Sequence, residues 1–148
     1  MSAAADATLR VAPAHAGQRD AIIQLWRDAG LTVPWNDPRA DYDLAAGKPN
    51  SDVLVGLAGG RIVAALIVGH DGHRGWLYYV GVDPLEQKAG PGAAIVSAGE
   101  AWLKARGMPK AMLMVRDANA AVEAFYHRIG YETVPRKVLQ KWLREPPG

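Results

Sequence analysis

A pair of glycines between two β-type runs constrains the fold of this chain more than any other feature. The Gly59-Gly60 pair permits the positive φ angles of a tight turn, so it predicts a hairpin of strands at 52–58 and 61–68. In the second strand both alternating sets of side chains are apolar. A strand without a polar face is covered on two sides, so the sequence predicts a sheet with a layer packed on each face.

Hydrophobic periodicity divides the rest of the chain into helices and strands. Apolar residues at helical spacing predict helices at 16–29, 38–46, between Gly92 and Gly107, and at 119–129. Runs rich in β-branched and aromatic residues predict strands at 8–11, 76–82, 111–115, 131–134 and 138–142. The chain of 148 residues has the length of one domain, so we expect a single domain over residues 1–148, with residues 1–7 flexible.

The composition excludes several classes of protein. The 17 basic and 15 acidic side chains leave a net charge of +2, which is too small to favour a nucleic-acid partner. The absence of cysteine excludes thiolate metal sites and cysteine nucleophiles, and His70 and His73 have no third partner at metal-ligand spacing. No apolar run reaches the ~18 residues that cross a bilayer, and no signal peptide is evident. We therefore expect a cytoplasmic protein with no metal ion and no membrane contact.

The triplet Gly90-Pro91-Gly92, between a predicted strand and a helix, is the first candidate for chemistry. Its glycines let backbone N–H groups approach a phosphate at a helix N-terminus, although a helix start that merely tolerates small residues fits equally. A P-loop is excluded because Ala93-Ala94 stands where Lys-Ser or Lys-Thr is required. A dinucleotide-binding fingerprint requires a third glycine where this chain has Ile95, which weakens that interpretation. Asp117 keeps it open, because it lies where a ribose-binding acid could stand.

Two patterns in order along the chain carry a resemblance to a known family. Residues 87–92 fit Gln/Arg-x-x-Gly-x-Gly/Ala. Residues 119–126, followed by Gly130-Tyr131, fit Asn-x-x-Ala/Val-x-x-Phe-Tyr and then Gly-Phe/Tyr. The chain therefore resembles the GNAT acetyltransferase superfamily over nearly its whole length, including its small bacterial YpeA-type members.

This resemblance implies the fold class and a co-substrate. The fold is α/β and GNAT-like, a mixed, mostly antiparallel sheet of six to seven strands with helices on both faces. Its strands ending at Val82 and Val115 splay apart, and acetyl-CoA lies in the splay. The pantetheine arm would satisfy main-chain groups at Val80 and Val82, and Asn119 would hydrogen-bond acetyl-CoA or simply cap its helix. The other implied contacts hold the pyrophosphate: Gln87, Lys88, Ala89, Gly90, Pro91, Gly92 and Ala93.

The same resemblance implies acetyl transfer to an amine, with Tyr126 as general acid. Related N-terminal acetyltransferases carry a glutamate where this chain has Met114, and a thioether takes no proton at neutral pH. A lysine amine is neutral in about one molecule in 2,500 at pH 7, whereas an α-amine is neutral in about one in seven. The missing base therefore favours an acceptor amine of low pKa or proton removal through ordered water.

The acceptor side and the assembly are less constrained by the sequence. Loops on one side of a sheet commonly carry specificity, so Trp35, Asn36, Arg74 and Tyr79 are candidates for binding an amine-bearing small molecule or peptide. Two other functions remain open: a catalytically impaired acyl-CoA-binding or regulatory module, and a nucleotide-binding regulator that prefers NAD. The strands predicted after Tyr131 could pair with a second copy in a homodimer.

Overall fold

The computed structural model describes residues 9–146, apart from the side chains of residues 87–89. The flexibility expected for residues 1–7 lies outside this range. Between residues 9 and 146, five strands form one sheet in sequence order: β1 (Arg10–Pro13), β2 (Ser51–Ala58), β3 (Arg61–His70), β4 (Gly75–Val82) and β5 (Ala111–Met112). The first four strands pair antiparallel, and β4 pairs parallel with β5. The sheet is therefore mixed and mostly antiparallel, which confirms the predicted fold class.

The helices also lie where the apolar spacing predicts them. The described residues contain four α-helices: α1 (Arg19–Asp28), α2 (Pro38–Ala45), α3 (Pro91–Ala105) and α4 (Ala120–Arg128). Short 3-10 turns at Ala16–Gln18 and Pro84–Ala89 precede α1 and α3. The Asp37 side chain accepts a hydrogen bond from Arg39 N at the start of α2, where Pro38 opens the helix without a donor of its own.

The central hairpin is formed as predicted. Gly59 and Gly60 have φ angles of 57° and 78°, so a residue with a Cβ would be strained at either position of the turn. Every residue of β3 from Val63 to Val68 is buried. A strand buried on both faces requires apolar cover from two sides, which explains its lack of a polar face.

Two apolar clusters cover the two faces of this sheet. On one face, Trp26 of α1 and Tyr42 of α2 pack against Val53 and Ile67. On the other face, Ile95 and Leu103 of α3 and Tyr126 of α4 pack against a second set of strand residues, including Leu66 and Leu77. We refer to these as the α1/α2 face and the α3/α4 face.

Helix α3 approaches the sheet closely because it carries a glycine on its buried side. A Cβ on Gly99 would lie 2.9 Å from Leu77 Cδ2, so a larger residue would push α3 away from β4. This close approach places the N-terminus of α3 beside the end of β4.

The predicted number of strands was wrong. Residues 131–134 and 138–142 form no strand, and the strand predicted at 111–115 is limited to Ala111–Met112. A β-type run becomes a strand only where a neighbour supplies hydrogen-bond partners, and Pro135 lacks a donor. Between 131 and 146 the backbone instead makes a local turn, from Arg136 N to Val134 O. The sheet therefore has five strands rather than six or seven.

Candidate active site

The strands β4 and β5 separate early, and this separation creates the candidate site. Their pairing is limited to Gly75 with Ala111 and Trp76 with Met112, although β4 continues to Val82. Residues 77–82 therefore have no strand partner on this side within residues 9–146. The splay between β4 and the segment after Met112, implied by the resemblance, is present.

The side chains that flank the splay lie in one apolar cluster on the α3/α4 face. Val80 and Val82 of β4 pack in it, as do Leu113 and Val115 of the diverging segment. Their main-chain groups thus border an opening whose walls are apolar. An extended ligand carrying amides could pair with the unmatched backbone there, as an added strand would.

A bulge in β4 lies beside the splay and was not foreseen in the sequence. Ala65 pairs with Gly81 and Ile67 with Tyr78, so Tyr79 and Val80 together oppose the single residue between them on β3. Tyr79 has a φ of 52°, the only positive value at a non-glycine residue among those described. Such a conformation is rare for a bulky side chain and persists only where surrounding contacts enforce it.

The contacts of Tyr79 supply that enforcement. Its ring stacks on Trp26 with centroids 4.5 Å apart, and its hydroxyl donates a 2.7 Å hydrogen bond to Asp41 Oδ2. Burial and the adjacent carboxylate both raise its pKa, burial being the larger cause. Tyr79 is therefore anchored to α1 and α2, although the sequence suggested it as an acceptor-binding residue.

The glycine triplet forms the N-terminus of α3. Gly90 has a φ of 87°, a left-handed conformation, and Pro91 opens the helix without a side-chain cap. The first hydrogen bond of α3 is donated by Ala94 N to Gly90 O, at 3.3 Å. The N–H groups of Gly92 and Ala93 precede it and have no acceptor within the helix, which leaves them available to an anion.

Gly92 brings three elements together at this point. A Cβ on Gly92 would lie 3.3 Å from Phe125 Cζ and 3.6 Å from Val82 Cγ2. The N-terminus of α3 thus lies between the end of β4 and helix α4. Glycine keeps this junction open, because a side chain here would press on the Phe125 ring.

Tyr126 lies on α4 and closes the site from the α3/α4 face. It is 8% exposed, and its ring makes edge contacts with Phe125 and Tyr131 at centroid distances of 5.0 and 5.6 Å. Burial alone raises its pKa to about 12. By contrast, the Tyr131 hydroxyl donates to Glu100 Oε2 at 2.7 Å, and the Tyr79 hydroxyl to Asp41. The Tyr126 phenol is thus a buried, protonated group, and no carboxylate among residues 9–146 binds it.

Asn119 and Met114 lie at the borders of the same region. The Asn119 side chain accepts a hydrogen bond from Val122 N at 3.3 Å, so it caps α4 as the alternative interpretation held. This bond uses Oδ1 and leaves the amide nitrogen of Asn119 for another partner. Met114 follows β5 and is 51% exposed, so the position of the missing carboxylate opens to solvent.

The predicted acceptor residues are not all brought together. Trp35, in the α1–α2 loop, is 54% exposed, and the Arg116 guanidinium lies 5.8 Å from its ring centroid. This contact joins the loop to the segment after β5. Asn36 is exposed beside Trp35, whereas Arg74 lies in the β3–β4 turn, directly before β4. The structure therefore brings Trp35 to the segment after β5, and it places Arg74 in the turn that precedes β4.

The sequence interpretation missed a cavity on the α1/α2 face. Its volume is about 330 Å³, and it lies beside the residue pair at which β4 and β5 begin to separate. The signal that could have indicated it is an aromatic pair on one strand, the half-buried Trp76 and the exposed Tyr78, which alternate with the buried Leu77. The lining residues are Asn50, Ser51, Gly69, His70, Asp71, Trp76 and Tyr78.

Residues 19–131 match the acetyltransferase (GNAT) family, and the chain belongs to that family. It is 42% identical over 126 residues to an acetyltransferase of Pectobacterium atrosepticum, covering 85% of this chain and 89% of that protein.

Solved structures show the same fold at low sequence identity. An aminoglycoside N-acetyltransferase, AAC(6')-Iy in complex with CoA, superposes with a TM-score of 0.77 at 12% identity, covering 93% of this chain and 96% of that one. The ribosomal-protein-S18-alanine N-acetyltransferase from Escherichia coli superposes with a TM-score of 0.75 at 22% identity, covering 86% and 80% of the two chains.

Family membership makes this chain an acyltransferase that uses acetyl-CoA. Its residues fit that co-substrate, because the unmatched backbone of β4, the free N–H groups of α3 and the open junction at Gly92 adjoin one another. Residues 9–146 contain no group of three His, Cys, Asp or Glu side chains placed to hold a metal ion. Over the same residues, no helix is both long and apolar enough to cross a membrane.

Proposed function

We propose that this protein transfers an acetyl group from acetyl-CoA directly to an amine, with Tyr126 as the general acid. The observation that carries the proposal is the position of Tyr126: it is buried beside the splay, it is protonated, and no carboxylate holds its hydroxyl. A phenol that faces the point where a thioester would lie can donate its proton to the leaving sulfur.

The co-substrate contacts follow from the same geometry. Main-chain groups at Val80 and Val82 would pair with the pantetheine amides, and Asn119 would donate its amide nitrogen. The backbone from Gln87 to Ala93 would surround the pyrophosphate, with the N–H groups of Gly92 and Ala93 as its donors, because they have no acceptor within α3. Gly90, Pro91 and the residues before them, including Lys88 and Ala89, shape this turn.

The reaction exchanges a C–S bond for a C–N bond. The amine nitrogen attacks the acetyl carbonyl carbon, the C–S bond breaks, and the sulfur takes the proton of Tyr126. The proton lost by the amine restores the phenol through solvent. The leaving thiolate forms in the same buried surroundings that raise the pKa of Tyr126. It is therefore desolvated too, and the pKa of the thiol rises together with that of the phenol.

The missing base selects the kind of amine. Met114 occupies the position of the related glutamate and cannot accept a proton, and its exposure admits solvent. An amine with a pKa near ~7.8 is substantially neutral at physiological pH and needs no base. We therefore propose an α-amine or another weakly basic amine, on a small molecule or a peptide, as the acceptor.

The acceptor approaches from the α1/α2 face, opposite Tyr126. Trp35, with Asn36 beside it, contacts Arg116 of the segment after β5, so this loop would contact the acceptor on that face. Tyr79 would shape the acceptor side of the site through the bulge that it forms in β4. Arg74, in the β3–β4 turn, would contact only the outer end of the acceptor.

An acetylation assay across primary amines of graded pKa tests the function. We expect acetyl-CoA-dependent product with amines of pKa near ~8 and much less with lysine side chains. The alternative, an acyl-CoA-binding or regulatory module, is favoured by the absent carboxylate at Met114. Binding of acetyl-CoA without turnover of any amine would support that alternative, and a preference for NAD in titration calorimetry would refute both functions.

A homodimer is the assembly that the C-terminal segment favours. Leu139 and Leu143 are 92% and 93% exposed, and the chain around them contains further apolar residues at Val138 and Trp142. The outer edge of β5 has no strand partner within residues 9–146. An exposed β-type run and an open sheet edge are complementary between two copies of one chain, which would bury both.

A further inference from the structure

The cavity beside the splay has a floor made by a glycine. Gly69 pairs with Ser51 on β2 and with Trp76 on β4, so these three positions share the α1/α2 face. A Cβ on Gly69 would lie 3.2 Å from Ser51 Cβ and 3.3 Å from Asn50 O. Since its φ is not in the left-handed region, this glycine provides space rather than a turn, and the cavity exists because position 69 has no side chain.

The side walls of this cavity are aromatic. The rings of Trp76 and Tyr78 lie nearly parallel, at an interplanar angle of 16° and with centroids 6.2 Å apart. Tyr78 is 40% exposed, so part of its ring faces the cavity rather than the core. Exposed ring faces of this kind attract cations and the alkyl groups attached to them.

The rim carries a negative charge. Asp71 lines the cavity, and its Oδ1 accepts hydrogen bonds from the backbone N–H groups of His73 and Arg74 at 3.0 and 2.9 Å. His73 Nδ1 lies 2.9 Å from the same oxygen. These contacts all involve Oδ1, so Oδ2 is left for a ligand. The bonds from Arg74 and His73 lower the Asp71 pKa to about 2, so the carboxylate is ionised at neutral pH.

The sign of the lining selects the ligand. Asp71 is the one carboxylate among the lining residues, and neither lysine nor arginine contributes to the lining. An acceptor with a carboxylate or phosphate would therefore meet aromatic rings and a negative charge without a compensating cation. An acceptor with a second positive charge would meet favourable partners for its alkyl portion and for its charge.

From these observations we infer that this cavity binds the acceptor, and that the acceptor is a primary amine whose body carries a positive charge. The inference rests on the proposed acetyl transfer. The reactive amine lies at the splay beside Trp76, the alkyl portion crosses Trp76 and Tyr78, and the second charge lies near Asp71 Oδ2.

Three α-amino amides of similar shape and similar α-amine pKa test this inference. Lysinamide carries a distal positive charge, norleucinamide none, and glutamic acid 1-amide a negative one. We expect kcat/KM for Nα-acetylation to be about fivefold higher with lysinamide than with norleucinamide, and lower again with the acidic amide. Higher ionic strength should reduce the preference, because exposed charges are screened.

Variants identify the residues responsible. Asp71→Asn keeps the Oδ1 acceptor of the turn, and it should lower kcat/KM for lysinamide to about that for norleucinamide. Asp28→Asn removes an exposed carboxylate from the end of α1, outside the cavity, and should leave the preference intact. Trp76→Leu should weaken binding of both uncharged and cationic amides.

The outcomes separate this inference from the proposed function. Turnover without a preference for lysinamide, or a preference that survives Asp71→Asn, overturns the inference and leaves acetyl transfer standing. If no amide is acetylated, the proposed function fails. Titration calorimetry of the amides into CoA-saturated protein then shows whether the cavity prefers a cationic ligand. Tighter binding of lysinamide supports the inference, and equal or absent binding refutes it.

Discussion

The Tyr79 hydroxyl donates a 2.7 Å hydrogen bond to Asp41 Oδ2, and this bond ties the bulge of β4 to helix α2. Tyr79 holds a positive φ while its ring stacks on Trp26, so packing and one polar contact jointly maintain the bulge. The bulge lies on the strand that borders the splay. The geometry of the site thus depends on a contact between elements 38 residues apart in sequence.

Tyr79→Phe keeps the stacked ring and removes this hydrogen bond. We expect the free energy of unfolding to fall by about 1–2 kcal/mol, because the partly buried Asp41 loses its partner. Urea denaturation measures the effect. Tyr78→Phe removes a more exposed hydroxyl from the adjacent position and serves as the matched control, with an expected change below about 0.5 kcal/mol. Equal losses in the two variants would argue against the anchoring role of Asp41.

Tyr126→Phe tests the general acid. We expect kcat to fall about 100-fold with a good amine, because the thiolate loses its proton donor. The free energy of unfolding should change by less than about 1 kcal/mol, since burial rather than a hydrogen bond sets the pKa of this phenol. Steady-state kinetics at saturating acetyl-CoA give the answer, and an unchanged kcat would remove Tyr126 from the chemistry.

The pH dependence of stability follows from the tyrosines. Burial raises the pKa of Tyr126 from 10.0 to about 12, and the pKa values of Tyr79 and Tyr131 are raised as well. Above pH 10 the unfolded chain releases phenol protons that the folded chain keeps, so stability is lost as pH rises through this range.

Urea denaturation between pH 9 and pH 12 should therefore show a falling free energy of unfolding. Tyr126→Phe should make this fall shallower, by up to about 1.4 kcal/mol per pH unit. The same raised pKa predicts no loss of kcat from ionisation of Tyr126 below pH 10. A wild-type and variant pair with identical slopes would contradict the assigned burial.

Two glycines form a matched pair for the proposed pyrophosphate site. Gly90 and Gly107 have φ angles of 87° and 79°, and a Cβ at either would meet no atom within 4 Å. Alanine at either position should therefore cost about 1 kcal/mol of stability through backbone strain. Only Gly90→Ala should weaken acetyl-CoA binding, by about tenfold in titration calorimetry, because Gly107 ends α3 away from the site. Equal affinities of the two variants for acetyl-CoA would show that the pyrophosphate binds elsewhere.

The exposed leucines test the dimer. Leu139→Asp together with Leu143→Asp should convert a dimer to a monomer in analytical ultracentrifugation, because two charges cannot be buried unpaired at an interface. Leu85→Asp, which changes an equally exposed leucine outside the C-terminal segment, should not alter the association state. A monomeric wild-type protein at about 100 times the assay concentration would exclude the proposed dimer.

The sequence predicts elements well where local signals and burial agree. The hairpin at Gly59-Gly60 and the helices are formed as predicted, because turn geometry and a buried apolar stripe act within a few residues. The segment after Tyr131 has comparable β-type character but forms no strand. A strand needs a partner strand, and the residues of the segment itself do not specify that partner.

The candidate site divides in the same way. The glycine triplet and Tyr126 could be assigned from the sequence because each is part of a spaced pattern with a chemical reason. The bulge at Tyr79 and the cavity over Gly69 could not, because both arise from pairing between distant strands. Arg74, predicted on the acceptor side, lies in the β3–β4 turn, where its backbone N–H donates to Asp71.

The sequence by itself determined the family and the co-substrate, and it supplied Tyr126 as the candidate general acid, since these depend on motifs whose geometry is local. Only the tertiary structure decided where β4 and β5 separate, which phenol lacks a carboxylate partner among the described residues and what charge lines the cavity over Gly69. Those properties depend on which surfaces become neighbours when the chain folds, and neighbours remote in sequence have no fixed spacing from which to infer them.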